Sequence, residues 1–197
     1  MTSLTALPAT PAQVTRLAWI VFMLYWLVAS AGAKKTKRSE SRLSRLSYTL
    51  PLFVAVFLMV TPRAHRGWLG IRFLPPGEAM QWIGAVLTIA GVALAIWARW
   101  HIGANWSGTV TLKEGHELIR SGPYGRICHP IYTGILLAAL GTAVEIGRIA
   151  GLIALALGWV SFWFKARREE SFLREEFGPK FEEHRKQTGM FLPKIIR

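Results

Sequence analysis

The chain has 197 residues, of which 52% are hydrophobic and nine are tryptophan, a content that favours an integral membrane protein over a soluble one. Its single cysteine, Cys128, excludes a disulfide within the chain and any cluster of several cysteine metal ligands. The formal charge of +13 would suggest nucleic acid in a soluble protein, but here the basic residues flank apolar segments and indicate contact with anionic lipid headgroups.

The first half of the chain predicts a disordered lead followed by three membrane spans that serve as scaffold. Residues 1–13 are small, polar and proline-containing, and we expect them to be disordered. The apolar run at 14–33 can cross a hydrocarbon core of about 30 Å. Its basic cluster follows the run, whereas a secretory signal peptide has its positive region first, so an anchor is favoured. Further spans are predicted at 48–61, extended by tilt or by the residues up to Leu69, and at 77–100.

Residues 101–197 predict a polar segment, an apolar hairpin and a charged end. Loops as long as 101–129 are commonly functional or disordered. The apolar segments 130–144 and 149–164 are separated by four residues, which predicts a helical hairpin reaching most of the way across the membrane and returning. A soluble buried hairpin is the alternative, but the earlier spans favour the membrane. The predicted fold is therefore all-α and integral to the membrane, with about five transmembrane helices, the hairpin 130–164 last, and a cytosolic loop and C-terminal helices that form a cofactor pocket.

The distribution of basic residues predicts the orientation of these spans. With the N-terminus outside, nineteen lysine and arginine residues fall on the cytoplasmic side and five on the outer side. This is the asymmetry of the positive-inside rule, and the opposite orientation would reverse it. We therefore expect the C-terminus and the polar segment 101–129 to be cytoplasmic.

Polar residues on this predicted cytoplasmic face indicate a ligand site. Pro130 suits the first turn of the fourth span, which leaves His129 near a helix N-terminus whose free N–H groups favour an anionic group. The return arm of the hairpin brings Glu169 and Glu170 within reach of His129 and Tyr132. Carboxylates opposite backbone donors suit a zwitterionic ligand. The alternative for each residue alone is structural, and the charge pattern of the glutamates by itself favours a solvated helix start.

The chain contains no GxGxxG, phosphate loop, HExxH or paired-cysteine motif, so standard nucleotide and metal folds are not indicated. Instead, several ordered motifs within residues 97–194 resemble the isoprenylcysteine carboxyl methyltransferase family of integral membrane enzymes. These motifs are Gly103-Ala-Asn-Trp-Ser107, Lys113-Glu-Gly-His-Glu-Leu-Ile119, Ser121-Gly-Pro-Tyr124, His129-Pro-Ile-Tyr-Thr-Gly134, Glu169-Glu-Ser-Phe-Leu-Arg-Glu-Glu-Phe-Gly178, Thr188-Gly and Leu192-Pro193. The five-span layout is that of the smaller prokaryotic members.

The resemblance implies S-adenosylmethionine as methyl donor and a lipid-like acceptor that enters from the bilayer, while the missing metal motifs lead us to expect no metal. The residues implied in cofactor binding are Leu118, Gly122, Pro123, Tyr124, His129, Pro130, Tyr132, Glu169 and Glu170. Trp106 and Ser107 would border the acceptor, and the implied catalytic residues are Asn105, Arg126 and Glu170. Where the family commonly has Arg-His-Pro, this chain has Cys128 before His129, and cysteine offers no fork of donors for an acceptor carboxylate.

The resulting hypothesis is an S-adenosylmethionine-dependent membrane methyltransferase acting on a lipophilic acceptor, with a prenylcysteine-like carboxylate favoured. The alternatives are a phospholipid N-methyltransferase, a sterol-reductase-like enzyme using a reduced nicotinamide, and a non-catalytic membrane binding protein. They differ in the group that accepts the methyl, in the cofactor, and in whether any transfer occurs.

Overall fold

The computed structural model describes residues 9–31, 36–113, 115 and 117–194, and its architecture confirms the all-α prediction. The helices are α1 (Pro11–Ser30), α2 (Arg42–Val60), α3 (Glu78–Ile102), α4 (Pro130–Ile146), α5 (Ile149–Phe177) and α6 (Pro179–Gln187). Helices α1, α2, α3 and α5 are long and apolar enough to cross a membrane, and α4 is a shorter apolar helix. The chain is therefore a multi-pass membrane protein.

Helix α4 lies at the centre of the bundle. It packs against α3 on one side and α5 on the other, while α1 packs against α3 and α2 packs against α5. The outer faces of α1 and α2 are apolar and exposed, as shown by Val28 at 77% and Phe53 at 74%. Such faces suit lipid, where apolar exposure carries no hydrophobic penalty.

Small residues allow α3 and α4 to approach closely. A Cβ placed on Gly141 would lie 2.5 Å from both Gly84 O and Thr88 N, so only glycine fits at this crossing. The Thr88 hydroxyl donates to Ala138 O at 3.2 Å across the same interface. This is the packing expected of membrane helices, which associate through close backbone contact rather than through hydrophobic exclusion of water.

The starts of α1 and α2 lie earlier than predicted. The structure includes residues 11–13 in α1, so the predicted disorder is wrong there, and residues 1–8 lie outside the described residues. The reason is a capping box, in which the Thr10 side chain accepts from Gln13 N while the Gln13 side chain accepts from Thr10 N at 2.8 Å. Similarly, α2 is capped by Ser41 and begins at Arg42, six residues before the predicted start of that span.

The extension of the second span to Leu69 is wrong, because α2 ends at Val60. Two short 3₁₀ helices, Pro62–His65 and Gly67–Gly70, follow it. Pro62 lacks a backbone N–H, so it cannot continue the helical hydrogen-bond pattern. The connection therefore turns over the end of the bundle.

The return arm of the hairpin is longer than predicted. Helix α5 does not stop at Phe164 but continues without a break to Phe177, over 29 residues. The charged segment is thus a rigid extension of an apolar helix. This extension carries Glu169 and Glu170 beside the start of α4.

The two ends of the bundle are built differently. At one end the α4–α5 turn meets the connection after α2, where Ile149 N donates to Ile71 O at 2.9 Å. At the other end, β1 (Thr36–Ser39) pairs antiparallel with β2 (Thr111–Lys113), a ribbon that the sequence analysis did not predict. The ribbon joins the α1–α2 and α3–α4 connections at the end where α4 begins.

Candidate functional site

A cavity lies where α4 begins and the charged part of α5 passes it. Its lining combines apolar, aromatic and polar side chains from the 102–132 region, α5 and α6. The lining residues are Ile102, Asn105, Trp106, Ser107, Thr109, Val110, Glu117, Leu118, Ile119, Tyr124, Cys128, His129, Ile131, Tyr132, Glu169, Phe172, Leu173, Phe181 and His184. A concave, largely apolar site with a few polar groups is the usual form of a small-molecule site.

The backbone around His129 is fixed by the C-terminal segment. Cys128 N donates to Gly189 O at 2.8 Å, and His129 N donates to Met190 O at 3.1 Å. The Thr133 hydroxyl donates to Phe191 O at 2.7 Å, one turn further along. These bonds hold His129 directly before α4, and its ring is only 6% exposed.

The His129 and Tyr132 side chains form one unit with Glu169. Their rings stack 5.4 Å apart at an angle of 8°. The Tyr132 hydroxyl donates to Glu169 Oε1 at 2.5 Å, and His129 Nδ1 lies 3.4 Å from Glu169 Oε2. Phe162 supports the outer face of the tyrosine ring at 4.8 Å. The carboxylate is thus oriented by two aromatic side chains that are themselves held by stacking.

Glu170 is fully buried and is held by three cationic or ionisable groups. Arg185 Nε donates to its Oε1 at 3.0 Å, and Arg174 donates to its Oε2 at 3.4 Å. His129 Nε2 lies 3.5 Å from Oε1. A buried carboxylate is tolerated only with such partners, because removal from water costs several kcal/mol.

The charge state of His129 follows from this arrangement. Burial opposes the imidazolium form, but the attraction of the nearby Glu169 and Glu170 carboxylates outweighs it and raises the pKa of His129. His184, buried on α6 nearby, has a lowered pKa because burial and the positive charge of Arg120 disfavour its protonated form. The pKa values of the two cavity histidines are therefore shifted in opposite directions, so that the site favours protonation of His129 and disfavours protonation of His184.

The structure brings eight of the predicted site residues together in the lining. These are Asn105, Trp106, Ser107, Leu118, Tyr124, His129, Tyr132 and Glu169. Gly122 and Pro123 lie outside that lining, in a 3₁₀ turn where Gly122 has a φ of 57° and its Cα faces the His101 ring. Pro130 begins α4, and Glu170 lies behind His129 rather than at the cavity wall.

The predicted catalytic residues occupy different positions. Asn105 is buried and its side-chain oxygen accepts from Glu117 N at 3.4 Å, within the cavity lining. Arg126 is exposed and is not among the lining residues, and its carbonyl accepts from Gly189 N at 3.3 Å. The described structure therefore does not bring Arg126 into the place that an arginine at position 128 would hold.

Tyr124 and Trp106 attach the polar segment to the bundle. The Tyr124 hydroxyl donates to Ala98 O at 3.3 Å, and burial raises the pKa of this phenol. The Trp106 ring packs under the Arg99 guanidinium at 4.4 Å. These contacts fix one wall of the cavity against α3.

The sequence analysis expected the C-terminal helices to take part in the pocket, but it named no site residue in α6. Phe181 and His184 line the cavity from α6, and Arg185 holds Glu170. The spacing of Phe181 and His184 could have indicated this, since residues three apart share a helix face. No local sequence pattern predicts the pairing of Arg185 with Glu170, because this contact depends on how α6 folds back on α5.

Comparison with known proteins identifies similar methyltransferases. The family model described as phospholipid methyltransferase matches residues 79–180. A probable protein-S-isoprenylcysteine O-methyltransferase of Oryza sativa subsp. indica is 30% identical over 119 residues, covering 59% of this chain and 62% of that protein. Protein-S-isoprenylcysteine O-methyltransferase B of Arabidopsis thaliana is 26% identical over 168 residues, covering 82% and 81%. The chain thus spans less than two thirds of the rice relative.

A solved structure shares the fold. The eukaryotic intramembrane Ras methyltransferase ICMT matches with a TM-score of 0.58 and 20% sequence identity, covering 96% of this chain and 70% of that one. Fold and cavity together define an integral membrane protein with a candidate ligand site at one end of its helical bundle. The chain belongs to the phospholipid methyltransferase family, and the resemblance to the isoprenylcysteine carboxyl methyltransferases is confirmed.

Proposed function

We propose that the chain is an S-adenosylmethionine-dependent membrane methyltransferase that methylates a lipophilic acceptor at the cytosolic face, with a prenylcysteine-like carboxylate favoured. The observation that carries this proposal is the His129–Tyr132–Glu169 unit in a cavity at the end of an apolar bundle. The names of the rice and Arabidopsis relatives support the same reaction.

The polar and apolar groups around the cavity fit S-adenosylmethionine, the proposed methyl donor. Glu169 offers a carboxylate to ribose hydroxyls or to an amino group, and Tyr132 orients that carboxylate. The first turn of α4 has backbone N–H groups without partners inside the helix, which suit the donor's own carboxylate. Apolar side chains such as Leu118 and Phe172 can pack on a nucleoside base. S-Adenosylmethionine supplies an electrophilic sulfonium methyl group when bound.

The residues of the chain act mainly by orientation and by exclusion of water. An acceptor carboxylate needs no general base, so the site must align its oxygen with the methyl group and keep water out. Asn105, Trp106 and Ser107 form the wall between the cavity and the bundle, where a lipophilic acceptor arrives. The positive-inside distribution of charge supports a cytosolic location of this wall.

Phospholipid N-methylation is the second candidate, favoured by the description of the matching family model. The two reactions differ in their acceptor chemistry. A carboxylate with a pKa near 3.5 is ionised throughout the neutral range, whereas an amine must first lose a proton. Transfer to a carboxylate should therefore be nearly independent of pH between about 6 and 8, and transfer to an amine should rise with pH.

The test is methyl transfer by the purified, detergent-solubilised full chain. S-Adenosylmethionine with a labelled methyl group is offered with a farnesylcysteine analogue or with phosphatidylethanolamine, and the labelled lipid product is quantified across pH. We expect a base-labile ester on the farnesylcysteine analogue with little pH dependence. Labelled phosphatidylethanolamine instead would establish the N-methyltransferase, and no binding or transfer by the folded protein would overturn the proposal.

A further inference from the structure

Three buried side chains beside the cavity form a group with metal-ligand chemistry. The Cys128 sulfur, a ring nitrogen of His129 and a carboxylate oxygen of Glu170 all lie within 4.8 Å of one another. Each residue is buried, at 8%, 6% and 0% exposure. Thiolate, imidazole and carboxylate are the three ligand types that zinc accepts in proteins.

His129 shows the second feature that points to a ligand. Its Nε2 atom is buried and has no hydrogen-bond partner among the described residues, although Glu170 Oε1 lies 3.5 Å away. Its Nδ1 atom faces Glu169 Oε2 at 3.4 Å. When a carboxylate pairs with one ring nitrogen, the other nitrogen can bind a metal. Metal-bound histidines are usually oriented by such a carboxylate.

We propose that Cys128, His129 and Glu170 form a binding site for a thiophilic divalent cation such as Zn²⁺ or Cd²⁺. The sequence analysis expected no metal, and the inference arises from the side-chain geometry around the residue that replaces the family's arginine. It does not depend on the proposed methyl transfer.

The surrounding groups support the three ligands. Arg185 donates to Glu170 Oε1 and Arg174 to Glu170 Oε2, so the carboxylate is oriented by hydrogen bonds. Ligating carboxylates in metal sites are commonly held in this way. Ligand atoms around a tetrahedral zinc are roughly 3.5 Å apart, so the three side chains must move together by about 1 Å.

Charge and access are also consistent with a divalent ion. The arginines already balance Glu170, so an additional cation must displace protons. A divalent ion binds cysteine as the thiolate and histidine as the neutral imidazole, so binding at Cys128 and His129 is coupled to proton release. Cys128 and His129 line the cavity, which provides an entry path and leaves a position for water or another ligand.

Occupation of this site would compete with the His129–Glu170 ion pair and would close the inner wall of the cavity. A bound ion would therefore hinder the binding of any ligand that needs His129 and Glu169 in their present positions. We therefore assign this site an inhibitory or sensing role.

The test is titration of the metal-free, detergent-solubilised full chain with Co²⁺ or Cd²⁺, followed by absorbance. Because Cys128 is the only cysteine in the sequence, any thiolate-to-metal charge-transfer band must arise from it. We expect saturation at one ion per chain and loss of the band in Cys128→Ser and Cys128→Ala. Glu169→Gln should weaken binding by about 10–100-fold, the usual effect of removing a carboxylate that orients a metal-bound histidine.

His101→Gln is the matched histidine control, because His101 contacts Ser121 and lies outside the trio. This variant should retain the band and its affinity. Thermal unfolding of each variant checks that the fold is intact. Absence of a charge-transfer band from folded wild-type protein at a tenfold excess of Cd²⁺ would overturn the metal site, and this result would leave methyl-donor binding untouched.

Discussion

The two sides of α4 are held by different forces. Toward α3, Gly141 allows the backbones to touch, and the contacts are between small and apolar groups. Toward the charged part of α5, His129 and Tyr132 at the start of the helix face two carboxylates, the half-buried Glu169 and the fully buried Glu170. The first side depends on shape, and the second depends on complete pairing of charges and hydrogen bonds.

This difference separates stability from function. Buried charges are costly to remove from water, and ionisable groups with shifted pKa values cluster at functional sites. We therefore expect substitutions toward α3 to affect folding alone, and substitutions toward α5 to affect ligand binding as well.

The largest effect is expected from Glu170→Ala. Removal of this fully buried carboxylate leaves Arg185 and His129 without their shared partner, and breaking a buried pair costs about 3–5 kcal/mol. The midpoint of thermal unfolding in detergent should fall sharply. Glu183→Ala removes an exposed glutamate paired with Arg120 and should cost less than about 1 kcal/mol. Similar midpoints for the two variants would show that the Glu170 network does not hold the site together.

The α3–α4 side is tested by Gly141→Ala. One added Cβ meets backbone atoms 2.5 Å away, so the helices must separate, at a cost of about 1–3 kcal/mol. The same substitution at Gly158 meets only Leu136 Cδ2 at 3.9 Å and should be neutral or slightly stabilising through helix propensity. Unfolding midpoints of the two variants measure the difference, and equal midpoints would contradict close packing at this crossing.

Two tyrosines that lose the same hydroxyl should differ in ligand binding. Tyr132→Phe removes a hydrogen bond to the Glu169 carboxylate, and bonds to charged groups are worth about 1.5–3 kcal/mol. S-Adenosylmethionine affinity should fall by roughly tenfold or more. Tyr124→Phe loses only a bond to the neutral Ala98 carbonyl, worth about 1 kcal/mol, so calorimetry should show a smaller change. The reverse order would place the donor away from Glu169.

The smallest effect concerns pH. Because the pKa of His129 is raised in the folded protein, its pairing with the carboxylates contributes stability that is complete below the unfolded pKa of about 6.5. That contribution is lost as pH rises through the raised folded pKa. The unfolding midpoint, measured with a metal chelator present, should therefore decline with rising pH more steeply for wild type than for His129→Gln. Parallel curves would mean that His129 is not charged in the fold.

The fold was largely predictable because the length and hydropathy of an apolar segment decide whether it can span a membrane. The hairpin and the nearness of Glu169 to His129 followed from that pattern. The end of α5 did not, because hydropathy marks where apolar residues stop, at Phe164, and not where the helix stops, at Phe177. Local capping by Thr10 and Ser41 likewise moved helix starts that hydropathy alone had set too late.

Within the site, the residues adjacent to the first turn of α4 were predictable and the residues that support them were not. Tyr132 and His129 share a helix turn, so their proximity is local. Arg185 reaches Glu170 only because Gly178 and Pro179 reverse the chain between α5 and α6, with Gly178 at a φ of 51°. The sequence shows that a turn occurs there, but it does not show which face of α6 returns.

The most direct measurement of the central claim is S-adenosylmethionine binding by calorimetry to wild type and Glu169→Gln, with the unfolding midpoint of each recorded in parallel. Glu169 lines the cavity and accepts a hydrogen bond from the Tyr132 hydroxyl, so loss of its charge should weaken ligand binding more than it lowers the stability of the fold. We predict one bound donor per wild-type chain and affinity reduced at least tenfold in the variant, with both proteins folded. Equal affinity of the two folded proteins, or no binding by wild type, would contradict a methyl-donor site between α4 and α5.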